Sequence, residues 1–205
     1  HLRTNLRYMN IDSPPRVLVV TSPLPGDGKS TTAANLAMAI AASGEVVYLV
    51  DGDLRRSTVA GTFGLPNQGG LTDVLVGAAS LTEVVHSIGA AGRLRVLTAG
   101  SVAPNPTELL GSQRMGAVLR EMVAEGIVLI DAPPLLPVTD GAVLVASSDG
   151  AVLVASANRT TYEQLQTALE HLGRVSSTPL GIILNRVPRR LGDAMGVLPL
   201  RLCPA

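Results

Sequence analysis

Six short runs of Val, Leu and Ile recur along the chain: RVLVVTS (16–22), EVVYLVD (45–51), LRVLTA (94–99), GIVLIDA (126–132), GAVLVAS (150–156) and LGIILNR (180–186). They are continuous rather than alternating. A strand with one wet face alternates apolar and polar residues, whereas a strand covered on both faces has no reason to. Between the runs, helices are expected over 29–42, 55–62, 71–77, 106–124, 139–147 and 161–175. Strand and helix in alternation predict an α/β fold: a three-layer sandwich, mostly parallel sheet with helices on both faces. With 205 residues, no repeat and no linker, a single domain over 1–205 is expected.

Composition narrows what this sandwich is made of and what it meets. Apolar residues are 46% of the chain but aromatics only 2%, so the core must be built from Ala, Val, Leu and Ile. The formal net charge is zero, which gives no global field toward nucleic acid, and no nucleic-acid partner is expected. The longest apolar stretch, 142–157, is interrupted by Ser-Ser-Asp-Gly and is too short to span a bilayer. A lone cysteine, Cys203, excludes an internal disulfide and suits a reducing compartment. Two helix starts are legible. Asn105 is expected to cap 106–124, with Pro106 at the first helical position and Glu108 completing a capping box. LRTNLRYMN (2–10) carries an apolar and a basic stripe at helical spacing.

TSPLPGDGKSTT (21–32) holds the only lysine of the chain, Lys29, against fifteen arginines. It follows an expected strand and opens an expected helix, the context of a phosphate-binding loop formed by Pro25, Gly26, Asp27, Gly28, Lys29, Ser30 and Thr31. Gly26 and Gly28 let backbone N–H groups turn toward a phosphate, helped by the helix N-terminus. Lys29 would reach the β- and γ-phosphates of a nucleotide, and the Ser30 hydroxyl would coordinate Mg²⁺. An ammonium fits between phosphate oxygens where a planar guanidinium does not, which explains why lysine persists here. The strict loop pattern has Gly at position 23; this chain has Pro.

Two further strands end in acid. VVYLVDGD sets Asp51 and Asp53 at the end of one, and IVLIDAPP sets Asp131 at the end of another. Ligands of open parallel sheets bind at the carboxyl ends of the strands, so these acids and the loop are expected to share one crevice. Carboxylates there suit Mg²⁺, which takes oxygen ligands.

TSPLPGDGKSTTAANLA, VVYLVDGDLRRS and IVLIDAPP together resemble the Walker A, A′ and B motifs of the bacterial tyrosine kinases, P-loop NTPases related to the MinD/ParA ATPases. RTNL (3–6), GSVAPNPTELLGS (100–112), the VTDG turn (138–141) and GIILNRV (181–187) extend the resemblance over nearly the whole chain. Positioning ATPases of the MinD/ParA type carry a second lysine where this chain has Leu24, and iron–sulfur scaffold ATPases need a Cys pair that it lacks.

The resemblance implies an ATP- and Mg²⁺-dependent tyrosine autokinase that regulates capsule or exopolysaccharide synthesis and export. It implies that Ser30, Asp53 and Asp131 organise Mg²⁺, that Lys29 binds phosphates, and that Asp51 accepts the tyrosine proton. Tyrosine has a pKa of about 10, and stripping it fully at neutral pH costs about 4 kcal/mol, so a base acting during transfer is sensible. Asn185 resembles the adenine-reading Asn of related ATPases. The implied partner is a transmembrane polysaccharide co-polymerase activator, fused or separate. It would hold the kinase at the cytoplasmic face of the bacterial inner membrane.

Two departures qualify this. The family's C-terminal tyrosine cluster is missing from LGDAMGVLPLRLCPA; the tyrosines are Tyr8, Tyr48 and Tyr162. The alternative function is therefore a nucleotide-binding regulatory module controlling assembly with a membrane partner, without tyrosine transfer. Arg3 matches the last Arg of the family's ring-forming motif, whose earlier Glu and Arg would precede residue 1. Weak self-association is expected of this chain and rings of the full-length protein. A start at His1 rather than Met suggests a fragment whose upstream membrane region is missing.

Overall fold

The computed structural model describes residues 14–175 and 179–188. RTNL, the 2–10 stretch, Tyr8 and Cys203 lie outside them. One sheet is built from β1 (Val17–Thr21), β2 (Val47–Asp51), β3 (His86–Ile88), β4 (Leu94–Leu97), β5 (Ile127–Asp131), β6 (Gly150–Ser156) and β7 (Pro179–Asn185). Its order is β3-β4-β2-β5-β1-β6-β7, parallel throughout except for the β3–β4 pair. All six expected strands are present. β3 was not expected, since His-Ser-Ile is too short for a pattern and sits half-exposed at the sheet edge.

The continuous apolar runs follow from burial on both faces. In β1, Val17 and Val19 enter one core layer while Leu18 and Val20 enter the other. The second layer is closed by α1 (Lys29–Ala42), through Ala33, Leu36, Ala37 and Ile40, and by α2 (Val59–Phe63). The first is closed by α3 (Leu71–Leu75), α4 (Leu81–Val84), α5 (Pro106–Leu110), α6 (Gln113–Glu125), α7 (Asp140–Ala146) and α8 (Tyr162–Arg174). The three-layer sandwich expected from the sequence is the observed fold.

Several helix boundaries differ, each for a local reason. The stretch 106–124 is two helices. The Ser112 hydroxyl accepts the Met115 N–H at 3.2 Å and starts α6 afresh after Gly111. Asn105 does not cap α5 with its side chain; its amide donates to the Glu108 carboxylate at 2.8 Å. The expected helix 55–62 begins only at Val59, because Asp53 accepts the Arg56 N–H at 3.0 Å and holds 53–56 in a turn. α4 was missed despite a legible signal: the Ser80 N–H donates to Glu83 at 2.7 Å in a capping box.

Candidate nucleotide-binding and active site

Register brings the acids together. Asp51 is the parallel partner of Asp131 at the ends of β2 and β5, next to the loop that leaves β1. The Gly52 N–H donates to the Asp131 carbonyl at 2.9 Å, and Thr21 Oγ1 donates to the Pro133 carbonyl at 2.8 Å. These bonds tie the two acid-bearing turns and the loop into one end of the sheet.

In the loop, Gly26 and Gly28 have φ of 84° and 97°, a left-handed conformation that only glycine adopts readily. Gly28 opens α1, and the Lys29 side chain folds back from the first turn to lie 9% exposed. Its Nζ donates to Asp53 Oδ2 at 3.2 Å, to Asp131 Oδ1 at 3.4 Å and to Ser30 Oγ at 3.3 Å. The single lysine thus joins three of the residues that the sequence assigns to metal and phosphate. Asp131 Oδ2 is fully buried and has no hydrogen-bond partner, a free oxygen donor beside Asp53 and Ser30. A hard cation with oxygen ligands fits this donor set.

Asp51 and Asp53 have different surroundings. Asp53 lines a cleft of about 540 Å³ together with Gly26, Gly28, Lys29, Ser30 and Thr31. Asp51 is fully buried and off the cleft wall. Its Oδ1 accepts the Asp53 N–H at 3.2 Å, and Oδ2 accepts those of Thr58 and Val59 at 3.0 Å each, so it also caps α2. Burial pushes the Asp51 carboxyl up to about 7, with its backbone donors pulling down and the Asp131 charge adding to the rise. Burial likewise raises Asp131, opposed chiefly by the Lys29 charge.

Asn185, at the end of β7, donates its amide to the Asp27 carbonyl at 3.0 Å, and its Oδ1 accepts the Arg186 N–H at 2.9 Å. It therefore grips the phosphate loop. Asp27 is buried, with Oδ2 accepting the Leu24 N–H at 3.3 Å. Pro25 also lines the cleft.

Sequence reading overlooked the cleft's basic and proline walls. Arg55, Arg56 and Arg186 line it, as do Pro133, Pro134, Pro137 and Val138. Arg55 was within reach in DGD-L-R: its Nε donates to Asp140 Oδ2 at 2.6 Å, and the Thr107 hydroxyl donates to the same carboxylate. Burial would raise Asp140, but Arg55 and Thr107 hold it below the usual range. The VTDG turn thus supplies the anchor that fixes the Arg55 side of the cleft.

The chain is similar to known proteins over most of its length. The model of the CobQ/CobB/MinD/ParA nucleotide binding domain matches residues 18–195. Tyrosine-protein kinase YwqD of Bacillus subtilis (strain 168) is 42% identical over 90% of this chain and 78% of its own. The putative tyrosine-protein kinase EpsB of Ralstonia nicotianae is 37% identical over 90% of this chain, which spans only 24% of that relative. Among solved structures, the kinase domain of Escherichia coli tyrosine kinase ETK superposes with a TM-score of 0.88 at 33% identity, covering 95% of this chain and 76% of that one. No helix among the described residues is long and apolar enough to cross a membrane. A phosphate loop whose lysine meets the acids of two neighbouring strands, and whose sequence aligns with these enzymes along most of its length, makes the chain a member of the bacterial tyrosine-protein kinases.

Proposed function

We propose that this chain is an ATP- and Mg²⁺-dependent tyrosine kinase that modifies tyrosines of its own assembly and serves polysaccharide synthesis and export. The observation that carries the reading is the contact of Lys29 Nζ with both Asp53 and Asp131, the A′ and B acids, at one end of the sheet. Mg²⁺ bound with the nucleotide would neutralise the charge of the transferring group. Ser30, Asp53 and Asp131 would hold it, and Lys29 Nζ would bind the β- and γ-oxygens. The N–H groups of residues 26–29 would cradle the β-phosphate.

Sheet order supports an assignment of the cleft's two sides. The loop leaves central β1, with β6 and β7 to one side and β5 and β2 to the other. The nucleoside would lie toward Asn185 and Arg186, and the acceptor tyrosine toward Pro133, Pro134 and Val138. Asp51 would take the tyrosine proton after one of its oxygens sheds a backbone donor. A carboxyl near 7 is a stronger base than an ordinary one near 3.8. The acceptor is a tyrosine other than Tyr48, which is buried with its hydroxyl on Glu125 and Arg95. A transmembrane activator, fused or separate, would anchor the kinase at the cytoplasmic membrane face.

Phosphate transfer from Mg·ATP to tyrosine, followed in single turnovers, tests these roles. Asp53→Asn is expected to abolish the Mg²⁺ dependence together with the transfer. Asp51→Asn is expected to slow transfer by about 10²- to 10⁴-fold while leaving nucleotide affinity near that of the parent. Transfer at the parental rate in both variants would overturn the proposal.

A further inference from the structure

The carbonyls of the phosphate loop are held from outside. Arg159, in the turn between β6 and α8, donates Nη2 to the Pro25 carbonyl at 3.2 Å and Nη1 to the Gly26 carbonyl at 3.3 Å. Asn185 takes the next carbonyl, that of Asp27, at 3.0 Å. Three consecutive peptide groups are thus fixed by two side chains that lie more than 130 residues away in sequence, the separations being 133, 134 and 158. In a trans peptide the C=O and the following N–H point in opposite directions. Carbonyls turned outward at 25, 26 and 27 therefore turn the N–H groups of Gly26, Asp27 and Gly28 inward.

The loop glycines make room for both grips. A Cβ on Gly26 would come within 2.9 Å of Arg159 Nη1, and one on Gly28 within 2.1 Å of Asn185 Nδ2. The turn that presents Arg159 is itself tied down. Asn158 has a φ of 61°, the Arg159 N–H donates to the Ser156 carbonyl at 3.2 Å, and Thr160 Oγ1 accepts the Ser156 N–H at 2.8 Å.

We infer that Arg159 and Asn185 form an outer brace that pre-orients the loop N–H groups for the phosphates, making Arg159 a positioning residue for nucleotide binding. The brace rests on the nucleotide-site reading above and adds to it a function for Arg159, and for Asn185 one distinct from reading the base. N–H groups already converged on an anion need no reorganisation when it arrives, and loss of that order appears as weaker phosphate affinity. A base-reading residue would act on the nucleoside alone.

Calorimetric titration with Mg·ADP and with Mg·pyrophosphate, a probe without a base, separates the two. Arg159→Ala and Asn185→Ala are each expected to weaken both ligands by the same factor, about tenfold for loss of the two exposed hydrogen bonds from the charged Arg159 and somewhat less at Asn185. Arg159→Lys, whose ammonium is a single point charge, should fall between Arg159→Ala and the parent. Thermal melting without ligand should be unchanged in the Arg159 variants, because the guanidinium is exposed. Parental affinity in Arg159→Ala, or an Asn185→Ala variant that loses ADP but keeps pyrophosphate, would overturn the brace. A parent protein that binds neither ligand would overturn the nucleotide-site reading and the brace with it.

Discussion

Replacing Lys29 by Met should lower tyrosine phosphorylation at least about a thousandfold, the scale seen when a pre-organised charge partner is removed from a transition state. Two effects combine in that figure. The first is direct: the Nζ that would bind β- and γ-oxygens is gone. The second follows from its present contacts with Asp53 and Asp131, at 3.2 and 3.4 Å in a site where the lysine side chain is 9% exposed. Methionine matches the stem but leaves both carboxylates without a counter-charge. Removing one partner of a buried ion pair typically costs about 3–5 kcal/mol, so without Mg²⁺ the variant should melt well below the parent at pH 8. It should recover part of that loss as the pH is lowered, because burial raises Asp131 and eases its protonation. Lys29→Arg should not restore transfer, because a planar fork cannot occupy the place of a compact ammonium. Parallel kinetics and melting curves check both effects. A Lys29→Met variant that melts like the parent at every pH would remove the second.

The metal-free protein should lose stability as pH rises. Asp51 has its folded value pushed up to about 7 from an ordinary 3.8. Below the lower value the carboxyl is protonated in both states and contributes nothing. Between the two, the unfolded chain ionises while the folded one keeps its proton, so stability falls with rising pH and levels off above the higher value. The full span corresponds to about 4 kcal/mol, and Asp131 acts in the same direction. In EDTA, a drop of about 3 kcal/mol between pH 5 and pH 8 would lower the melting temperature by roughly 10 °C for a chain of this size. Mg·ADP is expected to oppose the trend, because Mg²⁺ held as proposed by Asp53 and Asp131 would stabilise the protein most where those carboxylates are charged. Asp51→Asn should flatten the pH slope whatever it does to absolute stability. A melting temperature in EDTA that rises from pH 5 to pH 8 would contradict the burial assigned to these carboxylates.

The sheet and the position of the acids were legible because they rest on local pattern. Val-Leu-Ile runs announce strands buried on both faces, and an Asp after such a run sits at the strand end wherever the strand pairs. Helix boundaries were less legible because carboxylates and hydroxyls remote from the apolar pattern decide them. Asp51 and Asp53 delay α2 to Val59, and Ser112 divides 106–124. The antiparallel strand β3 escaped because three half-exposed residues carry no period.

The site divides in the same way. Lys29, Ser30, Asp53 and Asp131 were legible and converge as expected. The burial that separates Asp51 from Asp53 was not, since two acids one residue apart look equivalent in sequence. Arg159 was invisible because its partners lie 133 and 134 residues earlier. Nothing local marks a surface arginine as a brace.

The central claim is that the acids gathered around Lys29 serve phosphate transfer to tyrosine. It is tested most directly by incubating the protein in Mg·ATP, alone and with the proposed membrane activator segment, and mapping phosphotyrosine by mass spectrometry beside the Lys29→Met variant. Phosphotyrosine in the parent and none in the variant is the predicted result. Equal phosphotyrosine in both, or none in either despite measurable ATP binding, would contradict it.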